Sequence, residues 1–178
     1  MKLYLITGKA ETGKSALGEY LKEELKNREY EPCIMQVTYP LYHYAEDYFE
    51  WDKKSNAKPR EFLQNLGVEI IQNKLNKKDF LIKRLMEDMD ILKEFFDTFI
   101  ITDIRFQKEI DNLKKKYNST VIKVERENYI NTLTNKEKKH ITETEVDSIK
   151  NVNYLVKNSG LKKLKAQAKE IVELEEDK

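Results

Sequence analysis

Gly8, Gly13, Lys14 and Ser15 are the residues whose types and spacing point most directly to chemistry, set in the run Gly8-Lys9-Ala10-Glu11-Thr12-Gly13-Lys14-Ser15. Two glycines, a lysine and a hydroxyl in this order suit a loop whose backbone N–H groups wrap the phosphates of a nucleoside triphosphate. Glycine allows backbone angles and close approaches that a β-carbon blocks. Lys14 would reach the β- and γ-phosphates, and the Ser15 hydroxyl is a hard oxygen ligand suited to Mg2+. Lys9, Thr12 and Ala16 belong to the same phosphate-binding stretch.

Such a loop needs a strand before it and a helix after it. Residues 3–6 form a short apolar run, and Leu17, Tyr20, Leu21 and Leu25 recur at helical spacing over residues 15–27. A carboxylate belongs at the end of a neighbouring strand. The isoleucine-rich run from Phe99 ends in Asp103, the expected partner of Ser15 at magnesium. Arg105 follows just past that strand, where the crevice of an open parallel sheet lies, and could grip an acceptor phosphate bidentately.

Further strands are expected at 33–37, 121–124 and 153–156, and further helices at 80–96, 106–117 and 161–175. The last helix should turn Leu161, Leu164, Ala168, Ile171 and Val172 inward. Pro59 and Gly67 read as the start and stop of a short helix that sets Arg60 and Gln64 on one face. That pair is either a holder for a phosphate and a base or an ordinary solvated face. Pro40 pushes Tyr39 away from helical conformation, and the aromatic run 39–44 either lines the crevice or covers the sheet edge. Residues 45–58, with Trp51, read as an ordered but exposed connection. Residues 127–139, with Lys136, Lys138 and Lys139, are either a basic cover over phosphates or a solvated loop.

The chain has 178 residues, 37% charged, with a net charge of +1 and one cysteine, Cys33. That length suits one domain. Nothing in the charge balance argues for a nucleic-acid or membrane surface, local patches aside, and none is expected as a partner; no stretch is long enough to span a membrane, and the lone cysteine suits a reducing, cytoplasmic setting. His140-Ile141-Thr142-Glu143 lacks the spacing of a zinc helix. Asn76-Lys77-Lys78-Asp79 spells a guanine-reading motif, but no apolar strand precedes it and Asp103 follows it, so the match is chance.

Together, LITGKAETGKS, KPREFLQNLGVEII, FIITDIRFQKEIDNLK and VIKVER followed by HITETEVD resemble the deoxynucleoside monophosphate kinases. The resemblance implies a three-layer P-loop fold of the nucleotide kinase type, with a roughly five-stranded parallel sheet and helices on both faces. Its single domain, 1–178, would carry a substrate-binding insertion at about 38–80 and a lid-like segment at about 126–147. It further implies transfer of the ATP γ-phosphoryl group to a small-molecule (deoxy)nucleoside 5′-monophosphate with Mg2+. Arg60, Gln64, Arg105, His140 and Glu143 would bind the acceptor, and Lys14, Asp103, Arg105 and Arg126 would serve the transfer. Three of the chain's five arginines fall at these places, as bidentate phosphate recognition would require. A homodimer is left open, as are another phosphorylated acceptor and a regulatory ATP-binding module.

Overall fold

Five parallel strands, in the order β2-β3-β1-β4-β5, form one sheet in the computed structural model, which describes residues 1–52, 59–126 and 131–177. They are β1 (Lys2–Thr7), β2 (Pro32–Met35), β3 (Thr98–Ile104), β4 (Ser119–Arg126) and β5 (Tyr154–Asn158). Strands buried on both faces read as unbroken apolar runs, and β1 and β3 do so because helices cover both sides. α1 (Lys14–Lys26) and α8 (Leu161–Glu176) pack on Tyr4, Ile6, Ile100 and Ile122. α4 (Phe80–Leu92) and α5 (Gln107–Lys114) pack on Leu3, Leu5, Phe99 and Ile101. Alternate residues of one strand thus feed two cores. Leu17, Leu21 and Leu25 of α1 are fully buried, worth about 2 kcal/mol each.

Between β2 and α4 lies α2 (Tyr39–Phe49), then α3 (Arg60–Gln64), which runs on into a wider π-helical stretch, Asn65–Lys74. Phe49 and Phe62, with ring centroids 4.8 Å apart, hold α2 to α3. After β4 come α6 (Asn135–Lys139), α7 (Ile141–Thr144) and a 3-10 turn, Glu145–Ser148.

Several expectations change. Tyr39 is helical, because Pro40 stands in the first turn of α2, where its missing N–H costs no bond. Gly67 does not stop a helix. It is buried inside the π-helical stretch, where a β-carbon would lie 3.0 Å from Leu41 Cδ1, so it serves close packing. Leu161, the first residue of α8, is exposed, and Ile82 of α4 is buried in the core on the opposite face of the sheet, a residue that periodicity missed. The connection expected at 45–58 is helical as far as Phe49, and its remainder from 53 lies outside the described residues. Among the described residues no helix is long and apolar enough to cross a membrane.

Candidate functional site

Sheet register brings the site together. Thr7, the last residue of β1, is level with Ile104 on one side and Lys123 on the other. Gly8 therefore follows beside Arg105 and beside Val124. A β-carbon on Gly8 would lie 2.4 Å from the Val124 carbonyl oxygen, and one on Gly13 would lie 2.4 Å from Asn158 Nδ2. Both glycines also hold positive φ, 146° and 106°, so the loop tolerates no side chain at either place.

Within the loop, Lys14 Nζ donates to the Lys9 carbonyl at 2.6 Å, and Thr12 Oγ1 donates to the same oxygen at 3.0 Å. Asn158, at the end of β5, donates to the Thr12 carbonyl at 2.8 Å. The loop is therefore closed on itself and pinned from behind. Ser15 is exposed at the start of α1 and lines a cleft of about 440 Å³. Lys9 points elsewhere, into an exposed pair with Asp147 at 2.8 Å.

That cleft is walled by Lys14, Ser15, Ala16, Arg60, Gln64, Asp103, Arg105, Thr142 and Glu143, with Leu41, Tyr42, Val68, Leu81, Phe106 and Leu133 as its apolar part. Arg60 and Gln64 thus do share a face, and it is a cleft face. The aromatic run divides: Tyr42 enters the cleft, whereas Tyr39, His43 and Tyr44 line a separate groove between β2, α2 and α4. Sequence reasoning held Tyr42 as one of two alternatives and passed over Glu11, Phe106 and Glu109, which also line the cleft. The aromatic types at 42 and 106 were the available signal.

Arg105 is held on three sides. Its Nη1 lies 2.9 Å from Glu143 Oε1, 3.2 Å from the Gly8 carbonyl and 3.4 Å from that of Thr142. Glu143 is buried, and its other oxygen accepts the Ala10 N–H at 2.9 Å. Arg60 gives Nη2 to Glu11 at 2.7 Å. Its Nη1 is buried with no hydrogen-bond partner among the described residues, an unmet donor that a ligand oxygen would satisfy.

Asp103 is more committed than an open metal ligand. Its Oδ1 accepts the Val37 N–H at 2.8 Å, and its Oδ2 accepts the Thr38 N–H at 3.0 Å and the Thr38 hydroxyl at 2.5 Å. It thereby fixes the turn between β2 and α2. Glu109, in the first turn of α5, accepts the N–H groups of Arg105 and Phe106 at 2.8 and 3.0 Å. Burial pushes its carboxyl up to about 7, against the pull of those two N–H groups.

Arg126 and His140, expected in the transfer and at the acceptor, lie off the cleft. Arg126 ends β4 exposed, because the strand runs past the cleft floor, and it is absent from the wall. His140 caps α7: its Nδ1 lies 2.9 Å from Thr142 Oγ1 and accepts the Thr142 N–H at 3.3 Å. Burial lowers its pKa. Its geometry is that of a support for Thr142, which in turn accepts from Gln64 at 3.3 Å. Of the expected basic cover, Leu133 lines the cleft, but the described lysines do not. Lys136 pairs with Glu61, and Lys138 and Lys139 are exposed, while residues 127–130 of that expectation lie outside the described residues.

Residues 35–168 match the family model for deoxynucleotide monophosphate kinase. No curated protein sequence matches the chain. Among solved structures, the Mycobacterium tuberculosis APS kinase in complex with AMPPNP and APS is similar, with a TM-score of 0.53 and 12% identity over 98% of this chain and 97% of that one. Shikimate kinase from Aquifex aeolicus is similar with a TM-score of 0.51 and 17% identity, over 99% of this chain and 98% of that one. These likenesses establish the three-layer kinase fold. The phosphate loop precedes the matched residues, whereas Arg60, Gln64, Asp103, Arg105 and Glu143 fall inside them.

Proposed function

The chain belongs to the deoxynucleotide monophosphate kinase family and is an ATP-dependent nucleotide kinase, and from that premise we propose which residues carry the transfer. Gly8, Thr12, Gly13, Lys14, Ser15 and Ala16 hold the ATP phosphates. Residues 38–52 and 59–80 and the segment at 131–147 enclose a deoxynucleoside 5′-monophosphate, whose phosphate meets Arg60 and Arg105. The observation that carries this reading is the buried Arg60 Nη1, without a hydrogen-bond partner among the described residues, on a side chain that lines the same cleft as Lys14 and Arg105.

Phosphoryl transfer needs alignment and charge neutralisation more than covalent help. Lys14 exchanges its Lys9 carbonyl for phosphate oxygens. Arg105, already fixed by Glu143, presents its remaining N–H groups with little entropy left to lose. Gln64 and Tyr42 face the nucleoside, and Phe106 offers it a ring. Glu143 acts by holding Arg105 and the loop amide of Ala10, His140 acts by holding Thr142, and Arg126 remains outside the transfer.

Magnesium, when bound, neutralises charge on the ATP phosphates. The oxygen donors present fit it: Ser15 Oγ and the less committed Asp103 Oδ1 would hold it. Among the described residues no cluster of three or more His, Cys, Asp or Glu stands ready as a complete cage. Mg2+ usually takes one or two protein oxygens together with substrate phosphates and water.

A coupled assay for ADP formation with each common NMP and dNMP tests the reading. Turnover is expected on at least one deoxynucleoside monophosphate and is lost in Arg105→Ala. Turnover that persists undiminished in that variant would sink the acceptor assignment.

A further inference from the structure

Glu11 stands in the middle of the phosphate loop, and donor binding alone does not account for its side chain. Its backbone is left-handed, with φ of 63°, a conformation that glycine adopts freely and glutamate does not. A side chain retained at such a position points to a use for it. The carboxylate reaches away from the loop to two other segments. Oε1 accepts Arg60 Nη2 at 2.7 Å and the Thr132 hydroxyl, while Oε2 accepts the Thr132 N–H at 3.0 Å. The bonds from Thr132, then Arg60, hold its carboxyl down to about 2, so it is charged at any working pH.

One side chain of the donor loop is therefore tied to the acceptor-side helix α3 and to the chain that leads into α6. We propose that Glu11 is a positioning residue that couples ATP binding to recognition of the acceptor phosphate, acting through Arg60 and, by way of Thr132, through the covering segment. The guanidinium of Arg60 is divided between two tasks. Nη2 stays on Glu11, which fixes the plane of the fork, and Nη1, in a side chain that lines the cleft, is buried with no partner among the described residues. ATP that orders the loop orders Glu11, and with it Arg60. By reciprocity, a bound acceptor tightens ATP by the same factor. The proposal rests on the assignment of Arg60 to the acceptor phosphate.

Initial rates test it, with ATP and the best acceptor among dAMP, dCMP, dGMP and dTMP varied independently, on Glu11→Gln, Thr132→Val and Arg60→Ala. Glu11→Gln keeps the shape and removes the charge. Its acceptor KM is expected to rise about tenfold, while the ATP KM at low acceptor changes less than about twofold and the mutual tightening of the two substrates disappears. Thr132→Val, which loses one of the hydroxyl and amide bonds, should raise the acceptor KM about threefold. A merely structural role would instead lower kcat and raise both KM values together. An unchanged acceptor KM in Glu11→Gln beside a raised one in Arg60→Ala overturns the coupling and leaves the Arg60 assignment standing. An unchanged value in both variants overturns the assignment and the coupling with it. Should Glu11→Gln not fold, Glu11→Asp keeps the charge but draws it back by one methylene, and the same outcomes decide.

Discussion

The two halves of the cleft are built in opposite ways. The donor half is one run of chain, Gly8 to Ser15, shaped by bonds among its own members and by the close approach of two glycines, one to the Val124 carbonyl and one to the Asn158 side chain. The acceptor half is gathered from α2, α3, the end of β3 and the segment around α7, and ion pairs between distant residues hold it: Arg60 with Glu11, Arg105 with Glu143. A contiguous site owes its shape to local backbone geometry and resists loss of a single side chain. A gathered site owes its shape to its charged pairs, so the same side chains bind and support.

Truncation at the two halves should therefore differ in kind. Lys14→Ala is expected to lower kcat by about 10²–10³ or more while it leaves the melting temperature less changed than its acceptor-side counterpart, as paired kinetics and thermal melts would show. Arg105→Ala should lose both activity and stability, because it strands the buried Glu143 carboxylate. Breaking such a partly buried pair costs about 2–4 kcal/mol, readable in urea unfolding. Glu143→Gln, which keeps an acceptor for Ala10, should lose less than Arg105→Ala in the same measurement. Equal losses of stability in Lys14→Ala and Arg105→Ala would erase the contrast.

The donor half has its own weak point in backbone space. Gly13→Ala puts a β-carbon 2.4 Å from Asn158 Nδ2 at a φ of 106°. It should cost about 2–3 kcal/mol and raise the ATP KM with little effect on that of the acceptor. The smallest effect expected is electrostatic. Glu109 has a folded pKa of about 7, above its ordinary value of 4.5, so the stability tied to its neutral form is full below 4.5. It declines as pH climbs to 7 and is flat above that. The decline should be about 2 kcal/mol, less than the full shift implies because the carboxyl borders two open hollows. Unfolding of Glu109→Gln across that pH range should lack the decline, since its amide oxygen still accepts from Arg105 and Phe106.

The same contrast governs what the sequence made legible. Strand, loop and helix around Gly8–Ser15 could be read directly, because each residue type answers a local demand. The sheet was legible for a similar reason: two helical layers make its strands apolar on both faces. Arg60 and Arg105 stood out through the scarcity of arginine in a lysine-rich chain. Glu11 did not, since a glutamate among 32 acidic residues carries no local sign of its distant partners. His140 and Arg126 do not line the cleft, since a place beside a strand end or a helix start does not fix where a side chain points. Gly67 was read as a stop, although its role is set by Leu41, far back in the chain.

The central claim is that the loop and the gathered half form one two-substrate cleft. Calorimetric titration with adenosine joined through five phosphates to the preferred deoxynucleoside tests it most directly. One molecule per chain should bind at least about 10² more tightly than a non-hydrolysable ATP analogue or the monophosphate alone, with the advantage lost in Arg105→Ala. An affinity no better than that of the ATP analogue, unaffected by free monophosphate, would contradict it.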